Sequence, residues 1–473
     1  MKHKFVFLIV GLNFLVFEHS HAQHQEIGEK ATMYKGKQVV QSDTSSLLHA
    51  FKAGTTHGHF RYFFMATNNQ PGLTDFYANA AGGGLKYETG RYKGFQFTVS
   101  GFYIFNMGST DLSKLDSVTG QGNRYEVGLF DIEQPNNTRD MDRLEELNIK
   151  YHLKNAHFTL GKQLINTPFI NLQDGRMRPT GVEGVWIDWQ ATASTRIEGG
   201  LIYGISPRGT VRWFGVGESI GVLPGGVNPD GSRSGYPGNV HSKHIYNIGI
   251  RSKLTSQADV ELWNLYVTNV MHTSMLQATY RFKDSKWYAS GQSIFQKTVG
   301  EGGNADPSKA YREKGATTFT FGGRLGYKTS ELDLTLNFNR ITANSRYLMP
   351  REWGRDPFFT FMPRERNEGH GDVTAYMVKA DYKPNQTPWR FILSAGLFDM
   401  PDVLNTQLNK YGMPSYSQIN FDVRYQFSGW WKGLDAQFLM VAKQNRGNTH
   451  NNKRFEFNRV NMQLFNLVFN YHF

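Results

Sequence analysis

At 473 residues and a formal net charge of +12, the chain is long enough for one large barrel or two to three ordinary domains. It contains no cysteine, which excludes a disulfide framework and a thiolate metal site. No stretch approaches the ~18 consecutive apolar residues of a membrane-spanning helix, so a helical inner-membrane protein is excluded too. The 49 Gly, 35 Phe, 23 Tyr and 9 Trp favour a β protein with aromatic girdles. A negative mean hydropathy fits, because only every second residue of a barrel strand meets lipid.

The chain opens with a basic head, Lys2 and Lys4, then a mostly apolar run from Phe5 to Phe17, then Ser20-His21-Ala22. This is read as a secretory signal peptide over residues 1–22, cleaved to leave Gln23 first; no cysteine follows the site, so a lipoprotein is excluded. Cleavage removes Lys2, Lys4 and Glu18, a net +1, and leaves a mature charge of +11. The basic residues are scattered along strands and loops rather than clustered in a tail, which points to a basic lumen and away from nucleic acid. Residues 23–56 read as a periplasmic lead-in, with a short helical turn over Ser45–Lys52, and residues 57–473 as the barrel.

From His57 onward the apolar pattern has a period of two, the signature of strands with one greasy and one polar face. His57–Ala66 sets Phe60, Tyr62 and Phe64 against His59 and Arg61; Ala80–Thr89 and Phe95–Ile104 follow. Glu146–Lys154 alternates Leu147, Ile149, Tyr151 and Leu153 with Asn148, Lys150, His152 and Lys154. The series continues through Leu332–Ile341 and Val373–Tyr382 to Val460–Phe473, where Phe465, Leu467, Phe469, Tyr471 and Phe473 share a face. The expectation is an all-β fold: a transmembrane antiparallel β-barrel of about 18 strands with long extracellular loops. A closed barrel also removes the open edge that the last strand would otherwise present. Its terminal aromatic resembles the assembly signal of bacterial outer-membrane barrels.

Connector lengths carry a second signal. If the first strand runs outward, every second connector is short, as at Asn155 and Thr329–Glu331. The alternate connectors are mostly long, as at Phe105–Glu145, Ser206–Ile245 and Thr342–Asp372. Short periplasmic turns and long outer loops are the outer-membrane pattern. A barrel of this size encloses an aqueous channel, narrowed by loops that fold inward.

Two loops differ from the rest. Gly161–Gly184 carries Arg176 and Arg178 near Asp174 and Glu183, stiffened by Pro168 and Pro179. Tyr347–Arg366 carries Arg351, Arg355, Arg364 and Arg366 among Glu352, Asp356 and Glu365, with Trp353, Phe358, Phe359 and Phe361 between them. A guanidinium is a planar fork of donors, charged at every relevant pH, and suits carboxylates. Arg176, Arg178, Arg351, Arg355 and Arg364 are therefore the expected constriction residues, with Glu352 and Asp356 holding the arginines in place.

The chain resembles the OprD-type outer-membrane porins, the substrate-specific channels that include chitoporins. Gly161-Lys162-Gln163 with Pro168, Arg176-Met177-Arg178-Pro179, Gly181-Val182-Glu183-Gly184, Pro350-Arg351-Glu352-Trp353-Gly354, and Ala50-Phe51-Lys52 with Gly58 and Arg61 carry the resemblance. It implies a barrel narrowed by its third and seventh outer loops, the two singled out above, and a ladder of lumen cations guiding carboxylates. Inward positions offered for that ladder are Arg61, Lys86, Lys150, Lys154, Arg324, Lys379 and Arg424. The expected function is selective passive diffusion of small, carboxylate-bearing solutes across a bacterial outer membrane. A sugar-specific porin is the alternative. From other classes, an outer-membrane barrel enzyme would need a Ser–His–acid or Asp–His set at the rim, which the histidines do not provide, and a receptor or adhesin would need a closed lumen. The expected partners are outer-membrane lipid, lipopolysaccharide and small solutes, with no nucleic acid, no metal and no cofactor, in a monomer or homotrimer.

Overall fold

A computed structural model describes residues 32–34, 43–172, 176–223, 225–364 and 366–473. The proposed signal peptide, its cleavage product's first residue Gln23, and the loop acids Asp174 and Glu365 lie outside the described residues.

Eighteen long antiparallel strands run from Thr55–Asn68 to Met462–His472, each paired with the next in the chain. A two-residue strand, Phe214–Gly215, adds to the end of Thr195–Ser206. The last strand returns to the first, from His59 opposite His472 to Asn68 opposite Gln463, and the sheet closes. The barrel and its strand number are as expected. Leu332–Ile341 and Val373–Tyr382 span the anticipated residues, and the first strand begins two residues earlier, at Thr55.

Several expected boundaries move, as in Phe76–Glu88 and Phe95–Ser109, and one of them displaces a candidate residue. The fourth strand is Asp142–His152 and pairs with the fifth through His152 opposite His157, which leaves 153–155 as the turn. Lys154 is therefore an exposed turn residue at the periplasmic end, not a rung on the wall. The hairpin is too tight for the alternation to continue to Lys154.

Exposed apolar side chains stud the outer face, among them Leu147, Ile149, Leu334, Leu336, Phe319 and Leu393. They form the lipid-facing band that alternation requires. The apolar core lies inside the barrel instead, in two clusters. One is centred on Phe169, Trp263, Tyr347 and Trp353, the other on Phe63, Phe102, Phe130 and Met177. Loops supply much of both, so the lumen is narrowed by loops folded into it. On the periplasmic side, Leu47–Lys52 forms a single short helix whose N-cap Ser46 accepts from the His49 amide.

Candidate functional site in the lumen

The seventh outer loop, 342–372, crosses the lumen and is tied to opposite walls. Backbone that leaves the sheet inside a barrel must find partners for its carbonyls. Inward-facing side chains supply them. Gln296 donates to the Leu348 carbonyl at 2.7 Å and Gln292 to that of Pro357 at 3.0 Å. Across the barrel, Gln418 and Asn420 donate to the Pro363 carbonyl at 2.8 and 3.1 Å, and Lys443 to that of Arg364 at 2.6 Å.

The third outer loop, 164–180, locks onto the seventh through Asn171. Its side chain accepts from the Arg355 amide at 3.0 Å and donates to the Arg355 carbonyl at 3.2 Å. A Cβ on Gly354 would stand 2.5 Å from that side chain, so the close approach requires glycine. Thr180 adds a bond to the Glu352 carbonyl at 2.7 Å.

The expected arginines do not share one role. Arg351 is clamped: its Nε donates to Glu368 at 2.6 Å and its guanidinium lies 3.7 Å over the Tyr411 ring. Burial alone would lower its pKa, but Tyr411 and Glu368 outweigh that and raise it. Arg178 has a fully buried side chain, donates to the carbonyls of Met141 and Thr210, and stands 3.8 Å from Glu145. Burial and the neighbouring Arg143 push its pKa down to about 9. It secures the loop and presents nothing to a solute. Arg176 is also buried, near the buried Glu126, and its carbonyl accepts from Arg61. Arg364 sits over Tyr125 at 6.0 Å, with a left-handed backbone at φ 70°.

Of the acids expected to brace the arginines, Asp356 lies 4.0 Å from Arg366, and Glu352 and Asp356 both also accept from backbone amides. Glu352 accepts from the amides of Gly221 and Leu223, both at 2.9 Å, which ties the seventh loop to the fourth. Asp356 accepts from the amides of Asn367 and Glu368 at 3.0 and 3.1 Å, inside its own loop. Burial raises the pKa of both carboxyls. Glu368, which the sequence did not flag, is the acid that holds Arg351.

Most wall cations are paired. Lys86 lies 3.2 Å from Glu146, Lys150 3.0 Å from Glu88, Lys379 3.9 Å from Asp381 and Arg424 2.8 Å from Asp422. Arg61 donates to Asn470 at 2.7 Å. The inward wall is thus mixed in charge. Alternation in the sequence places these cations on the inner face, but the acids share that face for the same reason.

Arg324, Arg355 and Lys379 meet at a cavity of about 230 Å³ between the folded loops and the strands spanning Ala258–Tyr382. Pro168, Phe358, Phe359 and Phe361 line its loop side; Met275, Gln277, Gln292 and Met377 line its wall, with Glu261 and Asp356 the acids. Arg324 donates to Asn337 at 2.6 Å and lies 4.5 Å over Phe359; Arg355 lies 5.1 Å over Phe361. Among the described residues no His, Asp or Glu cluster could hold a metal.

A family model described as "outer membrane porin, OprD family" matches residues 61–363. No curated protein matches the sequence. Among solved structures, the chain is similar to Acinetobacter baumannii OccAB4, with a TM-score of 0.67 at 13% identity, covering 92% of this chain and 99% of that one. Pseudomonas aeruginosa OccK3 (OpdO) gives a TM-score of 0.64 at 13% identity, with 90% and 97% covered. Pseudomonas aeruginosa OpdK, solved with vanillate, gives 0.64 at 12%, with 89% and 99% covered. The chain is a channel of the bacterial outer membrane rather than an enzyme, and it belongs to the OprD family of outer-membrane porins.

Proposed function

We propose that this porin passes small solutes carrying a carboxylate on an apolar body. The observation that carries the reading is the cavity where Arg324, Arg355 and Lys379 stand beside Phe358, Phe359 and Phe361. Guanidinium and ammonium groups receive the carboxylate, while phenyl rings and the thioethers of Met275 and Met377 accept the remainder. At about 230 Å³ the cavity suits a small solute. The vanillate in the OpdK structure, itself an aromatic carboxylate, supports the same chemistry by analogy of fold. Because acids pair with Lys86, Lys150 and Arg424, selection rests on this local cluster more than on a uniformly basic lumen. The conduit is built from the loops of one chain, which supports a monomer as the working unit. The same reading takes residues 1–22 as the export signal and 23–54 as the segment preceding the barrel; N-terminal sequencing of purified protein, expected to start at Gln23, checks it.

The test is single-channel recording with benzoate and its neutral counterpart benzamide. Benzoate is expected to interrupt the current more than benzamide. Arg324→Ala with Arg355→Ala should abolish that difference and raise the conductance, whereas Arg233→Ala, on an exposed outer loop, should do neither. Equal effects of the two solutes in unaltered protein would remove the carboxylate reading. Preferential passage of neutral sugars would favour a sugar porin, a second reading to which the ring surfaces of Phe358, Phe359 and Phe361 are suited.

A further inference from the structure

Met33 and Tyr34, which precede the first strand, do not stay outside the barrel. Both are buried, at 8% and 5% exposure, and belong to the same apolar cluster as Phe63, Phe102 and Met177. The tyrosine hydroxyl donates to the Gly101 carbonyl at 3.1 Å and reaches that of Leu85 at 3.4 Å. Its ring stands edge-on to His59 at 6.2 Å. Thr32 closes the turn: its hydroxyl donates to the Tyr34 carbonyl at 2.8 Å and accepts from the Tyr34 amide at 3.0 Å.

The second strand leaves room for this tyrosine. Phe76–Glu88 contains Gly82-Gly83-Gly84, a run that weakens a strand and needs a reason. Gly84 faces inward, opposite His59. A Cβ there would meet the backbone oxygen of Gly101 first, and would stand 2.5 Å from the Tyr34 hydroxyl oxygen and 2.6 Å from the Phe102 ring. One inward step further from the periplasm, a Cβ on Gly82 would stand 2.6 Å from that same ring, 2.7 Å from the Tyr103 carbonyl oxygen and 3.0 Å from the Met177 methyl. Met177 lies at the centre of the third loop's Arg176-Met177-Arg178 tip. Tyr34 and the third loop's Met177 therefore share one glycine-lined slot, separated by Phe102.

We propose that Met33 and Tyr34 form a second narrowing of the pore, on the periplasmic side, that also props the tip of the third loop. The inference rests on the chain being a pore and not on which solute it passes. Removing both side chains empties the slot from below and lets Met177 descend, so the passage widens at one end and loosens at the other.

Planar-bilayer recording tests this on the full mature chain, with heat-modifiable gel mobility confirming that each barrel is closed. Met33→Ala with Tyr34→Ala is expected to raise single-channel conductance by about half or more, since narrow passages dominate resistance. Tyr34→Phe keeps the ring and should stay near the unaltered value. In the cysteine-free chain, Tyr34→Cys also places a unique thiol, and a small charged methanethiosulfonate should lower its current while leaving unaltered protein untouched. Unchanged conductance in the double variant, or a Tyr34→Cys channel indifferent to the reagent, would overturn the proposal.

Discussion

Arg351 shows how a cation can stand in a pore and still belong to the scaffold. Glu368, whose side chain is fully buried, neutralises it at 2.6 Å. Removing one partner of such a pair strands the other charge away from water and costs on the order of 3–5 kcal/mol. Glu368→Gln is accordingly expected to leave the barrel closed but to loosen the seventh loop, read as greater open-channel noise and a higher conductance than the unaltered protein. Arg→Ala at 351 should act in the same direction for the same reason, without altering the benzoate effect that Arg355 is proposed to carry. The arginines themselves were visible in the sequence, because loop cations interleaved with aromatics are unusual. Their roles were not. Arg176 and Arg178 flank one methionine in a symmetric motif, and Arg178 disappears among carbonyls only because the second and fourth outer loops cover it. Glu368 was missed because its partner lies across a turn of the seventh loop, and no local spacing rule connects them.

Among the buried ionisable groups of the outer loops, two bases have lowered pKa values that make packing pH-dependent. Lys410, on the eighth loop, is held by the Tyr236 hydroxyl at 3.1 Å and lies over the rings of Tyr236, Tyr311 and Tyr411. Burial, only partly offset by Glu368 and Glu352 and reinforced by Arg346 and Arg351, brings its pKa down to about 7 from the usual 10.5. Burial and Arg351 likewise bring His370 of the seventh loop down to about 3 from 6.5. In each window, pH 7–10.5 for the lysine and pH 3–6.5 for the histidine, opened loops bind a proton that packed loops do not. For these two bases, raising pH through either window therefore stabilises the packed arrangement, and lowering it favours opening. Single-channel noise should rise on acidification through the lysine window, and Lys410→Met should erase that step; at acid pH the raised carboxyls Glu352 and Asp356 oppose His370, so no second step is expected. A flat profile through pH 7–10.5 in unaltered protein would contradict the burial of this lysine. Strands were legible because a period of two is a local property. Loop docking was not, since its anchors Gln292, Gln296 and Gln418 sit on strands remote in sequence from the carbonyls they meet.

Closure of the barrel depends on the two ends of the chain. Phe473 exchanges two backbone bonds with Gly58, at 2.8 and 3.1 Å, and its ring covers that glycine and stacks on Phe60 with centroids 5.5 Å apart. Deleting Phe473 should slow or reduce formation of the heat-modifiable barrel, while deleting Asn448 from the ninth outer loop should not. Equal folding of the two would refute it. The terminal aromatic was flagged as an assembly feature by its resemblance to the signal of outer-membrane barrels, but the glycine that seats it was not legible.

That seam has a kinetic meaning. Every other strand neighbours the one that precedes it, so each pairing closes a short length of chain and the wall can grow hairpin by hairpin. Pairing His59 with His472 is the exception, joining residues at opposite ends of the molecule. It brings no reward until the sheet between them has curled, which makes it the expected slow step. Substitutions at Gly58 or Phe473 should therefore lengthen one late phase of assembly into lipid and leave the earlier growth of β structure unchanged.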